Sequence, residues 1–191
     1  MTRLKHGLRT FFEDLATQFR GDLGLQKHAP MCPRALAEWL EIPILGTSQL
    51  EGDTDPFKWL LEASEKQFFG CVIPLGDSRK GILHNDYVAE SRQASDIAHE
   101  IAHIVLGHPL TPPDCGDGTR DYDPILEHEA RELGMTLLVP KHAALKIAMS
   151  SVSNSDAGRH YGVSPSLVEY RLRITNAKNW AYNKRNRARG F

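Results

Sequence analysis

The sequence predicts an α+β protein, mainly helices around a small antiparallel sheet, with a helical C-terminal extension. Three observations carry that prediction. Apolar residues recur at helical spacing through most of the chain. One stretch only, residues 68–88, has the short aromatic and β-branched runs of a hairpin. Gly and Pro fall between these segments, where helices start and stop.

The elements follow in order. Leu4, Leu8, Phe11, Phe12, Leu15 and Phe19 make one amphipathic helix, ended by Gly21 and Gly24. Pro33 opens a short helix through Ala35, Leu36, Ala37, Trp39 and Leu40. Glu41 to Leu45, with Ile42 and Ile44, is a candidate first strand, and residues 46–55 are a polar loop. Asp55-Pro56 starts a short helix through Trp59 and Leu60. Phe68 to Leu75 and Gly81 to Val88 are the arms of a hairpin turning at Gly76-Asp77-Ser78. A long helix runs from Ser91 to Leu106 and stops at Gly107 and Pro109. Residues 109–123, with Pro112-Pro113 and Cys115 to Gly118, are an exposed loop. Asp123 caps a further helix, with Pro124 in its first position; the helix runs to Val139 and breaks at Pro140. Two or three more helices reach about Ala177. This gives a main domain over residues 1–150 that includes the first helix, helix–turn–helix-like helices over 151–177 packed on it, and a basic, flexible tail over 178–191.

Composition bounds the function. The 191 residues suffice for one well-buried core and are few for two domains. With 41% hydrophobic and 25% charged residues the chain is globular rather than disordered. A net charge of −1 supplies no global field for nucleic acid, although Lys178, Lys184, Arg185, Arg187 and Arg189 make the end locally basic. No apolar run has the length of a membrane span or the character of a signal peptide. Cys32, Cys71 and Cys115 are sparse, odd in number and unpaired in pattern, which suits reduced thiols and not a cysteine-rich metal site. The expectation is a cytoplasmic protein with no membrane partner.

The chemistry sits in His99-Glu100-Ile101-Ala102-His103. On a helix, positions i and i+4 share a face, so both imidazoles can hold one ion. Glu100, next to the first ligand, is placed to act as general base, the catalytic residue. A catalytic zinc site takes three protein ligands and leaves the fourth position for water. Histidines and a glutamate at this spacing also occur on solvated helix faces. Here Ile97, Ala98, Ile101, Ala102, Ile104, Val105 and Leu106 make the helix apolar almost all round, hence buried, and buried polar groups need partners or a metal. The third ligand is assigned to Glu127 in the acidic helix 124–138, because Ala130 and Gly134 continue its face and allow close packing on the His99–His103 helix. Glu129 lies roughly 200° further round at 3.6 residues per turn and cannot serve the same ion. His108 and His128 are alternative ligands, His108 reading more readily as a loop residue. A further donor for the transition state is open among Tyr87, Arg92, His142 and Tyr161.

Residues 155–174 also fit a helix–turn–helix, with its turn at Gly162-Val163-Ser164 and Arg171 and Arg173 on its second helix. With the basic residues confined to the tail, a structural helical hairpin is favoured over a DNA-binding unit.

The string Ser95-Asp96-Ile97-Ala98-His99-Glu100-Ile101-Ala102-His103-Ile104-Val105-Leu106-Gly107-His108 resembles the metallopeptidase helix of the ImmA/IrrE family. Glu127-His128-Glu129-Ala130-Arg131-Glu132-Leu133-Gly134 followed by Met135 to Pro140 resembles its second signature. The hairpin, Ser91-Arg92-Gln93, Gly158 to Ser164 and Tyr170-Arg171-Leu172 are similar too, so the likeness spans roughly residues 30 to 175. It implies a zincin-like, minimal gluzincin fold, with zinc held by His99, His103 and Glu127 and Glu100 as the base. It further implies an endopeptidase whose protein substrate is a transcriptional repressor encoded nearby, in stress response or the control of mobile elements. Arg131 stands where the family usually has Asn or Asp, a position able to orient a ligand from behind, and Gly134 replaces a more usual Ala. Two other readings stand beside this one: a regulator binding a partner or DNA through its C-terminal helices, with a structural or vestigial zinc site, and a zinc hydrolase with a non-protein substrate.

Overall fold

Helix α1 spans Leu8–Asp22 and α2 spans Pro33–Trp39. A short strand β1, Ile44–Gly46, leads into one 3-10 turn, Thr47–Gln49. Strands β2, Gly70–Pro74, and β3, Lys80–His84, follow, then helices α3, Glu90–Val105, and α4, Pro124–Leu138. Four helices complete the chain: α5 Lys141–Met149, α6 Asn154–Tyr161, α7 Pro165–Ile174 and α8 Ala177–Ala188. These elements come from a computed structural model that describes residues 4–50, 69–110 and 123–188. The helix expected at Trp59 and Leu60, and most of the loop expected over 109–123, lie outside the described residues.

The α+β class holds. The hairpin forms as expected, with β2 antiparallel to β3 and Gly70 opposite His84. The sheet as a whole is mixed rather than antiparallel: β1 pairs in parallel with β3, Ile44 opposite Ile82, in the order β1-β3-β2. Asp86 fixes this arrangement by accepting hydrogen bonds from the Thr47 hydroxyl (2.9 Å) and the Ser48 amide (3.0 Å) just past β1.

The chain groups into two compact units, residues 33–134 with 1–4, and residues 5–32 with 135–191. In the first, α3 packs on α2, β2 and β3. Its buried face is Ile97, Ala98, Ile101 and Ala102, which meet a core containing Ile82, Leu83, Leu36 and Cys71. Arg34 of α2 bonds His84 Nε2 (2.9 Å) and Gln93 Oε1 (3.2 Å). Burial, then the Arg34 charge, push the His84 imidazole down and keep it neutral.

The second unit brings α1 together with the C-terminal helices. Phe12 and Ala16 are fully buried. Arg20, equally buried, donates to the carbonyls of Ala16 (3.1 Å), Ala29 (3.0 Å), Leu137 (2.7 Å) and Leu138 (3.4 Å). Arg171 donates to the Val139 carbonyl (2.8 Å) and to Glu13 (2.5 Å). Two guanidinium groups therefore cap the carbonyls at the end of α4, where positive charge also suits the helix dipole. Helices α6 and α7 form the predicted hairpin: Gly162 closes α6 at φ 66°, and Ser164 and Pro165 start α7. Residues 178–188, expected to be a flexible tail, are helical, with Ala177 and Ala181 buried.

Candidate metal centre

Helix α3 presents His99 and His103 one turn apart, and the first turns of α4 present Glu127. His99 Nε2 lies 3.1 Å from Glu127 Oε2, His103 Nε2 lies 3.4 Å from Glu127 Oε1, and the two Nε2 atoms are 3.1 Å apart. A tetrahedral ion with bonds of about 2.0–2.1 Å sets its donors about 3.3 Å apart. The observed separations have that size, and the donor types are those of a borderline metal such as zinc. The His–His–Glu set therefore fits a divalent metal. Hydrogen bonds from His103 and His99 hold the Glu127 carboxyl well below the usual carboxylate range, so it is anionic at neutral pH.

Helix packing produces this triangle. A Cβ at Gly134 would lie 3.1 Å from the Ala98 carbonyl oxygen and 3.1 Å from the His99 amide nitrogen. Backbone therefore meets backbone where α4 crosses α3, beside the first histidine. Asp123 starts α4 as predicted, its Oδ1 accepting from the Ile125 amide at 2.8 Å. The sequence reading of α3 as buried all round needs correcting: His99 and Glu127 keep about a quarter of their side chains exposed, 26% each. The apolar residues bury one face and leave the triad at its edge, open to solvent.

Glu100 is buried, on the same helix. A Cβ at Gly70 would lie 3.4 Å from its Cγ and 3.7 Å from its Oε1. The Glu100 side chain thus rests against the first residue of β2, and Gly70 leaves it room. The sequence reading missed Gly70; a glycine inside a strand, a mark of close approach, was the available signal.

The remaining candidates sort clearly. Glu129 does not join the triad, as expected from its place round the helix. It faces His108 Nε2 at 3.6 Å, and His108 Nδ1 lies 3.0 Å from His103 Nδ1. His108 lies in the loop after α3, as expected, but is buried there. Burial, then the neighbouring His103, push its imidazole down. His128 pairs with Arg131 at the surface (2.9 Å). Arg92 bonds Asp96 (3.0 Å) and lies 3.8 Å over the Phe69 ring, and Tyr87 is exposed. His142 and Tyr161 belong to the second unit, where Tyr161 donates to the His28 carbonyl at 2.8 Å.

A family model described as the IrrE N-terminal-like domain matches residues 60–173, more than half of the chain. The chain belongs to this peptidase family. The match spans α3 and α4 with all three donor residues, and the IrrE-like family is one of metal-dependent peptidases. No curated protein matches the chain as a relative.

Proposed function

We propose that this IrrE-like chain is a zinc endopeptidase that cuts one specific protein partner, a transcriptional repressor, in gene regulation under stress or in the control of a mobile element. The observation that carries the reading is the convergence of His99, His103 and Glu127 at the spacing of ligands to one small ion, with Glu100 on the same helix. The repressor as substrate follows from family likeness and is a reading of the partner, not of the site. A cytoplasmic location goes with such a substrate; no described helix is long and apolar enough to cross a membrane.

Zinc, when bound, supplies a Lewis acid that polarises the scissile carbonyl and acidifies water. His99 and His103 would hold it through their Nε2 lone pairs, and Glu127 would add the anionic oxygen. Glu100 takes a proton from the attacking water on its carboxylate and delivers it to the leaving amine nitrogen as the peptide bond breaks. The missing Cβ of Gly70 leaves room for that carboxylate beside β2.

DNA binding through α7 is not favoured, because Arg171 is spent on Glu13 and Val139 and is buried. The test measures zinc content by mass spectrometry and cleavage of candidate repressors on co-expression. Glu100→Gln should keep one zinc per chain and lose about 10²–10⁴-fold in cleavage rate. His99→Ala and Glu127→Ala should lose the zinc itself. Full cleavage by Glu100→Gln would overturn the peptidase reading.

A further inference from the structure

The metal-facing nitrogen of a histidine ligand must be free of its proton, and the other ring nitrogen decides whether it is. His103 turns Nε2 towards His99 and Glu127, and Nδ1 towards His108 Nδ1 at 3.0 Å. At that distance one of the two Nδ1 atoms carries the hydrogen and the other accepts it. The carboxylate of Glu129, 3.6 Å from His108 Nε2, decides between them. An anion at that place favours the proton on His108 Nε2. His108 Nδ1 then bears the lone pair and accepts, so once an ion takes the place of the hydrogen that His103 Nε2 shares with Glu127, His103 keeps its proton on Nδ1 and Nε2 is free for the metal.

The backbone is built for this contact. Gly107 adopts φ 68°, its amide bonds the Ile104 carbonyl at 3.1 Å, and the His108 amide bonds the His103 carbonyl at 3.0 Å. This is the paired bonding of a glycine-terminated helix, and it folds the chain back so that His108 lies under His103. Lys80 holds the far side, donating to the His108 carbonyl at 3.4 Å. The His108 side chain is only 5% exposed and that of Glu129 15%, so water competes little for these contacts. Arg131, at the position from which a family Asn or Asp could orient a ligand, is exposed and bonded to His128.

The geometry points to Glu129 and His108 as positioning residues, a carboxylate–imidazole chain that sets the tautomer and ring angle of His103 and so presents its Nε2 to the metal. The inference rests on the metal-site reading above. It assigns different work to two of the acidic residues of α4, Glu127 on the ion and Glu129 two places behind it.

The test is zinc affinity of the full-length chain, by competition with a chromophoric chelator, alongside long-range proton–nitrogen NMR of the histidine rings. His108→Ala and Glu129→Ala should each weaken zinc binding about 10- to 100-fold. His108→Gln should recover part of the loss, since its amide can accept from His103 and donate towards Glu129. The zinc-loaded wild type should show His103 protonated on Nδ1 and His108 on Nε2, and Glu129→Ala should lose the fixed form of His108. A merely structural role for His108 would move the melting temperature but not the tautomers. Wild-type affinity in His108→Ala and His108→Gln, or a wild-type His108 protonated on Nδ1, overturns the chain alone. If the wild type takes up no zinc, the metal reading falls and the chain with it.

Discussion

A single buried cation shows how much one side chain can organise. Arg20 spends its guanidinium on four carbonyls. Burial pushes it down to about 10, with Tyr161 and Glu13 acting the other way, so it remains charged at neutral pH. Arg20→Met would keep the apolar stem and leave the Leu137 and Leu138 carbonyls without their donor. An unsatisfied buried acceptor costs about 1–3 kcal/mol, so the variant should lose about 2–4 kcal/mol. Thermal unfolding should show a midpoint lower by roughly 5–15 °C. An unchanged midpoint would mean that other donors replace it. Nothing in the local pattern marks this role, because Arg20 falls in a helical stretch where charged residues normally face water. The triad was readable for the opposite reason: i, i+4 spacing places His99 and His103 by helix geometry alone, and the small residues after Glu127 pointed its face at them. Glu129 and His108 lie twenty-one positions apart, across a stretch with no periodicity, so nothing local pairs them.

At the scale of elements, the approach of α4 to α3 decides whether the three donors converge. Backbone atoms of Ala98 and His99 stand 3.1–3.2 Å from a Cβ at Gly134, closer than ordinary contact and unable to swing aside as a side chain would. Gly134→Val must push the helices apart beside His99. Overpacking of this kind costs about 1–3 kcal/mol, and the separation should stretch the His99–Glu127 distance. The expected result is a folded protein by circular dichroism with zinc affinity lowered at least tenfold; normal affinity would show that the contact tolerates bulk. Gly134→Ala gains helix propensity worth about 1 kcal/mol, and its Cβ, 3.1 Å from unyielding backbone, offsets that gain, so its stability should change little. Elements with strong local signals were legible: α3 from its apolar pattern and glycine stop, α4 from Asp123-Pro124 and Pro140, the hairpin from its turn. Two were not. The parallel pairing of β1 with β3 depends on Asp86 reaching Thr47 and Ser48 across thirty-odd residues. Helix α8 has an almost wholly polar sequence, and its packing on α5 and α7 leaves only small alanines to mark a buried face.

For the molecule as a whole, the grouping of α1 with residues 135–188 changes what the C-terminal segment is for. The sequence reads residues 178–191 as a basic, flexible tail. In the fold, Ala177 and Ala181 are buried, and Arg185 donates to the Ala148 and Met149 carbonyls at 3.0 Å each, closing the end of α5. Arginine at a helix C-terminus both satisfies free carbonyls and complements the dipole. Basic residues placed for that work are partly withdrawn from any phosphate backbone, which is a second reason, after the burial of Arg171, to expect no strong nucleic-acid binding from this end. A chain stopped at Asn176 should therefore lose stability, where removal of a true tail would not. Uncovering this face of α5 and α7 exposes apolar surface worth roughly 1–3 kcal/mol. Urea unfolding should show the midpoint fall with the slope changed only slightly, because few residues leave the buried core. An Arg185→Ala variant should reproduce a minor part of the loss. Should the truncated chain unfold at the full-length midpoint, α8 carries no stability, and its lysines and arginines would need a partner to account for them.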